Sequence, residues 1–248
     1  MNKQGGFRVK IPNNEIINYG DSAILIEFSK IFTEEAWKNA HGLARLLRQR
    51  KIDGILEIYP TYTTVLITFN CLITDHSTIK KIVNEIMESA ADSKQLEVEP
   101  SQYYRFPVIF GGQWGSDLPF VAEHLGLLED EVIKTFCSGF RKIFTFATFG
   151  GFLMEGAPFA EKIPRLKSPH TQVLGGYVAV AGNQTAFVPV TSPSGWRTIG
   201  HCPLKVLDLG AMPPVPYNPG DYIEFFPISE EEQSLYSEKT IHDMKVML

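Results

Sequence analysis

Cysteine is scarce in this chain of 248 residues: Cys71, Cys137 and Cys202 stand far apart and outside any C-x-x-C pattern. An odd, scattered set disfavours a disulfide framework and a zinc site and leaves buried free thiols as the reading. No apolar run reaches the roughly 18–20 residues that a membrane-spanning helix needs. The opening stretch, MNKQGGFRVKIPNN, is charged and lacks the apolar stretch of a signal peptide, so a cytoplasmic location is expected. Positive charge is in short supply too. With 23 Lys and Arg against 28 Asp and Glu, the net charge of -5 argues against nucleic acid as a partner. Also missing are a G-x-S-x-G elbow, a G-x-x-x-x-G-K-[ST] loop and any H-x-H or H-x-x-x-H pair, so neither a self-contained catalytic motif nor a metal site is expected.

What is present divides into two halves. Ser22 to Phe28 has the composition of a half-buried strand. Thr33 then caps a helix running to about Arg50, with Glu34 and Glu35 in its first turn, arginines at its C-terminal end, and Gly54 as its stop. Ile55 to Tyr59 and Thr63 to Phe69 read as strands, Ser77 to Ala91 as a helix, and Gln95 to Glu99 as a further strand. That order predicts a ferredoxin-like α/β sandwich over residues 1–100. Charge and turn residues from Glu99 to Gln102 mark a boundary. Beyond it, Asp117 is placed to cap a helix over Leu118 to Leu125, and a second helix spans Leu128 to Cys137. From Lys142 to Ile228 short strands are cut by Gly and Pro, the pattern of a β-barrel or sandwich, so residues 101–228 form the second domain. Residues 229–248 read as a surface tail.

The most informative stretch is GYVAVAGNQTAFVPVTSPSGWRTIGHCPL, from Gly176 to Leu204. Gly182-Asn183 fits a two-residue hairpin turn between two strands, and polar groups crowd beside small residues that let a ligand approach the backbone. Its Ala181, Gly182, Gln184, Thr185, Pro189, Ser192, Pro193, Gly195, Trp196, Ile199, Gly200, Pro203 and Leu204 keep order and spacing with a known signature. On these residues the chain resembles the family of 5-oxoprolinase B subunits, known also as the KipI or allophanate hydrolase subunit 1 family. Gly20-Asp21-Ser22-Ala23, Glu57 with Pro60 and Tyr62, Gly111-Gly112, and Pro219-Gly220-Asp221 extend the resemblance over most of the chain.

The resemblance implies an α+β chain whose second half is a cyclophilin-like β-barrel. It also implies one component of an ATP-hydrolysing enzyme that opens 5-oxo-L-proline to L-glutamate. The implied partners are the C subunit of 5-oxoprolinase, related to allophanate hydrolase subunit 2, and its A subunit, of the LamB/YcsF type. ATP is shared with those partners, since no motif here holds it. Two other readings stay open: a KipI-like protein that binds a sensor histidine kinase without turnover, and a component of an enzyme for a urea derivative.

Three places carry candidate chemistry. At Gly150, Gly151 and Phe152 the family has a proline in place of Gly150 and a tyrosine in place of Met154; paired glycines can offer backbone N–H groups to an anion, or simply connect strands. The run from Ile163 to His170 is similar to the family's arginine-rich loop; Arg165 is kept, Leu166 is neutral, and His170 stands where the last arginine usually does. In the hairpin stretch, Gln184, Thr185 and Ser192 suit a carbonyl or carboxylate, Trp196 suits an apolar ring or the core, and His201 replaces another common arginine. The family's histidine in the helix before the barrel corresponds to Phe136.

Overall fold

Period-two alternation builds the first sheet. In the computed structural model, which describes residues 16–90, 101–156 and 159–247, the chain divides into two units, Met1–Glu99 and Pro100–Leu248. Unit one has strands β1 (Ile16–Asn18) and β2 (Ala23–Glu27), helix α1 (Glu34–Arg50), strands β3 (Ile55–Pro60) and β4 (Thr64–Phe69), and helix α2 (His76–Ala90). The sheet order is β1-β2-β4-β3, antiparallel throughout. Ile24 and Ile26 of β2 and Val65, Ile67 and Phe69 of β4 point to one face, where Leu43, Leu47, Ile79 and Val83 of the helices bury them. Thr33 accepts from the Ala36 N–H at the start of α1. The helix ends at Lys51, whose φ of 46° makes it the left-handed cap; Gly54, the expected stop, lies in the turn that follows. The Gln95 to Glu99 strand that a ferredoxin-like sandwich takes lies outside the described residues.

Unit two opens with strand β5 (Tyr103–Phe110) and helices α3 (Leu118–Leu125) and α4 (Glu129–Phe136). There follow β6 (Arg141–Lys142), β7 (Thr145–Phe146), β8 (Phe152–Glu155), β9 (His170–Val173), β10 (Tyr177–Ala181) and β11 (Gln184–Val188). The last strands are β12 (Ser192–Ser194), β13 (Arg197–His201), β14 (Tyr222–Pro227) and β15 (Lys245–Val246). The large sheet runs β6-β14-β5-β13-β10-β11-β8-β7, with β15 also on β5. It curls until its two ends meet in one segment: the Ile143 N–H donates to Asp221 O beside β14, and the Phe144 N–H donates to Leu153 O of β8. Phe106 fills the interior, edge-on to Phe152, Phe187 and Phe225. At the tight turn between β10 and β11, Gly182 alone takes a positive φ, as a turn with glycine first requires.

Strand β10 is buried at every residue, which no alternating strand would be. Val178 and Val180 face the main core, while Tyr177 and Ala179 face a second small cluster with Val188, covered by Val173, Val190 and Trp196. The cover is a two-stranded flap made by β9 and β12. It is this flap over the outer face of the sheet that positions the candidate site. The segment after Ser229, expected as a surface tail, instead docks on the sheet: β15 pairs with β5, and Ile241 is fully buried in the core. Tyr236 and Met244 pack beside Ile241 against the core, and the Lys205 N–H donates to Lys239 O, so several contacts hold the segment.

Candidate functional site

Two cavities lie along the flap, and the buried Tyr177 lines both. The larger, about 480 Å³, is walled by Phe146, Ala147 and Thr148 on one side and by Arg165, Ser194 and Trp196 on the other. Its geometry follows from the backbone: the Leu166 N–H donates to Gly195 O, which sets Arg165 beside Trp196, its guanidinium 5.3 Å from the indole. An exposed guanidinium held against an aromatic wall can take a carboxylate while the ring covers an apolar body.

The smaller cavity, about 180 Å³, lies at the His170 end and includes Trp114, Thr198 and His201 in its wall. Behind it sits Asp117, 7% exposed, at the N-cap position of α3. Its carboxylate makes no capping bond. Instead it accepts from His170 Nε2 at 2.9 Å, from Arg197 Nη1 at 3.3 Å and from the Thr198 N–H at 3.0 Å. A buried carboxylate is stable when such donors surround it. Arg197 is fixed in turn by its 3.5 Å approach to the Phe120 ring and by donating to Pro164 O. Sequence reading missed Asp117 and Arg197 as site residues, because the partners lie 53 to 81 positions from Asp117 and only the fold joins them.

The remaining candidates separate. His201 stacks on Trp114 with centroids 4.7 Å apart, and burial lowers its pKa, favouring the neutral ring. The buried Ser192 hydroxyl pairs with the Tyr177 hydroxyl at 3.1 Å, under the flap. Gln184 and Thr185 line neither cavity. Gln184 donates to Glu155 across the β8–β11 pair, and the fully buried Thr185 accepts from Arg141, which lies over the Phe136 and Phe225 rings. The structure thus places these two in the scaffold beside the turn, although the next residue, Ala186, lines the larger cavity. Phe152 is core. The Gly151 N–H donates to Thr148 O, so it is engaged within the turn, and Gly150 has a φ of 76° that a proline cannot adopt. Its carbonyl accepts from the buried Tyr217 hydroxyl, which ties this turn to the core. Phe136, at the family's histidine position, is buried in the aromatic stack. Among the described residues no group of three or more side chains is placed to hold a metal ion.

The family model for the carboxyltransferase domain, subdomain C and D, matches residues 14–217. The chain belongs to that family. It is 27% identical over 238 residues to the 5-oxoprolinase B subunit of Bacillus subtilis (strain 168), covering 91% of this chain and 98% of that protein. To the protein of the same name from Escherichia coli O157:H7 it is 29% identical over 214 residues, 85% and 94% of the two chains. Among solved structures, PH0987 from Pyrococcus horikoshii is 31% identical with a TM-score of 0.51, covering 88% of this chain and 99% of that one. TTHA0988 matches in fold, with a TM-score of 0.72 at 24% identity over 84% of this chain and 40% of that one. So does the Kluyveromyces lactis urea carboxylase, TM-score 0.66 at 16% identity, over 90% of this chain but 22% of that one. This chain thus spans less than half of those two longer proteins. The relatives account for the mixed α+β fold with a curled, strand-rich sheet.

The lining residues do not fit a nucleoside triphosphate. Arg165 is the one guanidinium or ammonium group at either wall among the described residues, and the candidate backbone donor at Gly151 is engaged. A triphosphate needs several such donors.

Proposed function

We propose that this chain is the B subunit of an ATP-dependent 5-oxoprolinase, which opens 5-oxo-L-proline to L-glutamate together with the A and C subunits. The observation that carries the proposal is the match, across nearly the full length of both chains, to proteins named as the B subunit of 5-oxoprolinase. The larger cavity supports it, because a five-membered lactam bearing a carboxylate suits one cation beside one aromatic wall. Arg165 binds the carboxylate and Trp196 covers the ring. Arg165 is the one guanidinium at that cavity among the described residues, so substrate binding is weaker than a multi-arginine clamp gives. ATP is held by groups that the partner subunits supply. The alternatives, a binder of a sensor histidine kinase or a component of an enzyme for a urea derivative, have no observation in the two cavities that favours them. Omission assays separate the readings: ATP-dependent glutamate formation by the three co-purified components stops when this chain is left out. Equal turnover without it refutes the proposal.

A further inference from the structure

The carboxylate of Asp117 lines neither cavity, yet it is tied to both working walls of the larger one. The first tie runs through Arg197. Its Nη1 donates to Asp117 Oδ1 at 3.3 Å while its Nε donates to Pro164 O at 3.2 Å, so one planar guanidinium bridges the buried carboxylate and the carbonyl just before Arg165. On the other side of Arg165, the Leu166 N–H donates to Gly195 O at 2.9 Å. Arg165 is thus bracketed by two backbone anchors. Its own guanidinium, 5.3 Å from the Trp196 ring, has no hydrogen bond or ion pair among the described residues, so its placement comes from that backbone.

The second tie runs through His170. Its Nε2 donates to Asp117 Oδ2 at 2.9 Å, and in the flap His170 pairs with Ser194. The buried Ser194 lines the larger cavity, and its hydroxyl accepts from the Trp196 N–H at 3.2 Å. The Thr198 N–H, at 3.0 Å, fixes the same carboxylate to the strand that begins just after Trp196. A residue that served only to start α3 would bond into its first turn, and Asp117 makes no such bond.

We propose that Asp117 is a positioning residue for the Arg165 and Trp196 pair, acting through Arg197 on the arginine and through His170 on the strand that leads into the tryptophan. The inference rests on the reading above, in which that pair binds the carboxylate of 5-oxo-L-proline, and extends it to groups that never touch the substrate.

Arg197→Lys tests it, because lysine keeps a positive charge beside Asp117 but replaces the two-pronged fork by a single ammonium. In the full chain alone, backbone nitrogen relaxation is expected to give Arg165 an order parameter of about 0.85 in the wild type and below about 0.6 in the variant, while the buried Ala179 stays at about 0.85 in both. This measurement needs neither substrate nor partner, so it judges the positioning independently of the reaction. In the assembled complex, KM for 5-oxo-L-proline rises about 3- to 10-fold in Arg197→Lys with kcat within about twofold, since the disturbed contact is to the carboxylate and not to the amide that opens. In an Arg165→Ala background the same substitution changes KM by less than about twofold, because the residue it acts through is gone. Asp117→Asn, assayed well below its melting transition, follows the same pattern. A merely structural loss would instead lower kcat per chain in both backgrounds alike. An unchanged order parameter at Arg165, or equal fold-changes in KM with and without Arg165, overturns the proposal. A KM that ignores Arg165→Ala sinks the substrate reading instead, and the relaxation data then support or overturn the positioning by themselves.

Discussion

Replacing Asp117 by asparagine tests the centre of the site scaffold. The side chain keeps its shape but loses the charge that three donors share, at 2.9 Å from His170, 3.0 Å from the Thr198 N–H and 3.3 Å from Arg197. The new N–H₂ group then faces a donor in place of an acceptor. Arg197, whose side chain is 13% exposed, keeps its charge without a carboxylate partner. Hydrogen bonds to a charged group contribute about 1.5–3 kcal/mol each, and breaking a buried ion pair on one side costs about 3–5 kcal/mol. These terms overlap rather than add, so the expected loss is about 3–4 kcal/mol. With an m-value of about 2 kcal/mol/M, the urea midpoint of unit two falls by about 1.5–2 M. Equilibrium unfolding followed by the fluorescence of Trp114 and Trp196 measures it. His170→Gln costs less, about 1 kcal/mol, because that side chain is 38% exposed. A loss below about 1 kcal/mol for Asp117→Asn refutes the reasoning, since it means that the carboxylate is effectively solvated.

Other outcomes follow from single environments. Burial drives the His41 pKa down from 6.5 to about 4, so the folded state holds fewer protons than the unfolded one between those values. Its contribution to stability is therefore complete above pH 6.5 and disappears as pH falls toward 4, a loss of about 2–3 kcal/mol in unit one. Trp37, its ring tilted against His41 with centroids 4.5 Å apart, reports that unfolding, and stability that is flat from pH 7 to about 4 contradicts the assignment. Burial also pushes the Cys137 and Cys202 thiols up to about 12, while Cys71 is exposed. A thiol reagent at pH 8 should label Cys71 first and leave Cys202 for the unfolded chain; rapid labelling of Cys202 would show that it is reachable. At Gly115 an added Cβ would lie 2.0 Å from Ile199 O, so Gly115→Ala should cost about 3 kcal/mol and shift β13, whereas an unchanged melting curve would disprove the close approach.

Local signals made the scaffold legible and left the site only half so. The Thr33 cap, the alternation in Ala23 to Glu27 and Thr64 to Phe69, and the Gly182 turn each act within a few residues, so sequence exposes them. Arg165 and Trp196 could be picked out because each stands in a distinctive run, and the fold brings them together through one bond between Leu166 and Gly195. Gln184 and Thr185 look like site residues for the same reason, yet Thr185 faces the opposite side of the strand from the cavity-lining Ala186 and is engaged by Arg141, while Gln184 is engaged by Glu155. Asp117 gives the opposite error. Its helix-start position explained it too well, and the long-range partners that claim its carboxylate leave no trace in local spacing. The docking of the C-terminal segment rests on Tyr236, Ile241 and Met244, spaced among polar residues without a sustained helix or strand period, and on backbone pairings with distant strands that local sequence does not show.

The most direct measurement of the central claim is the kinetics of the assembled complex carrying Arg165→Ala in this chain. If Arg165 binds the carboxylate of 5-oxo-L-proline beside Trp196, KM for that substrate rises about 10- to 100-fold, the loss of one charge-assisted contact, while the components still co-purify. Competition by 2-pyrrolidinone, which lacks the carboxylate, is then unchanged by the substitution. An unaltered KM in a complex that turns over normally would contradict the account and move the substrate away from this cavity.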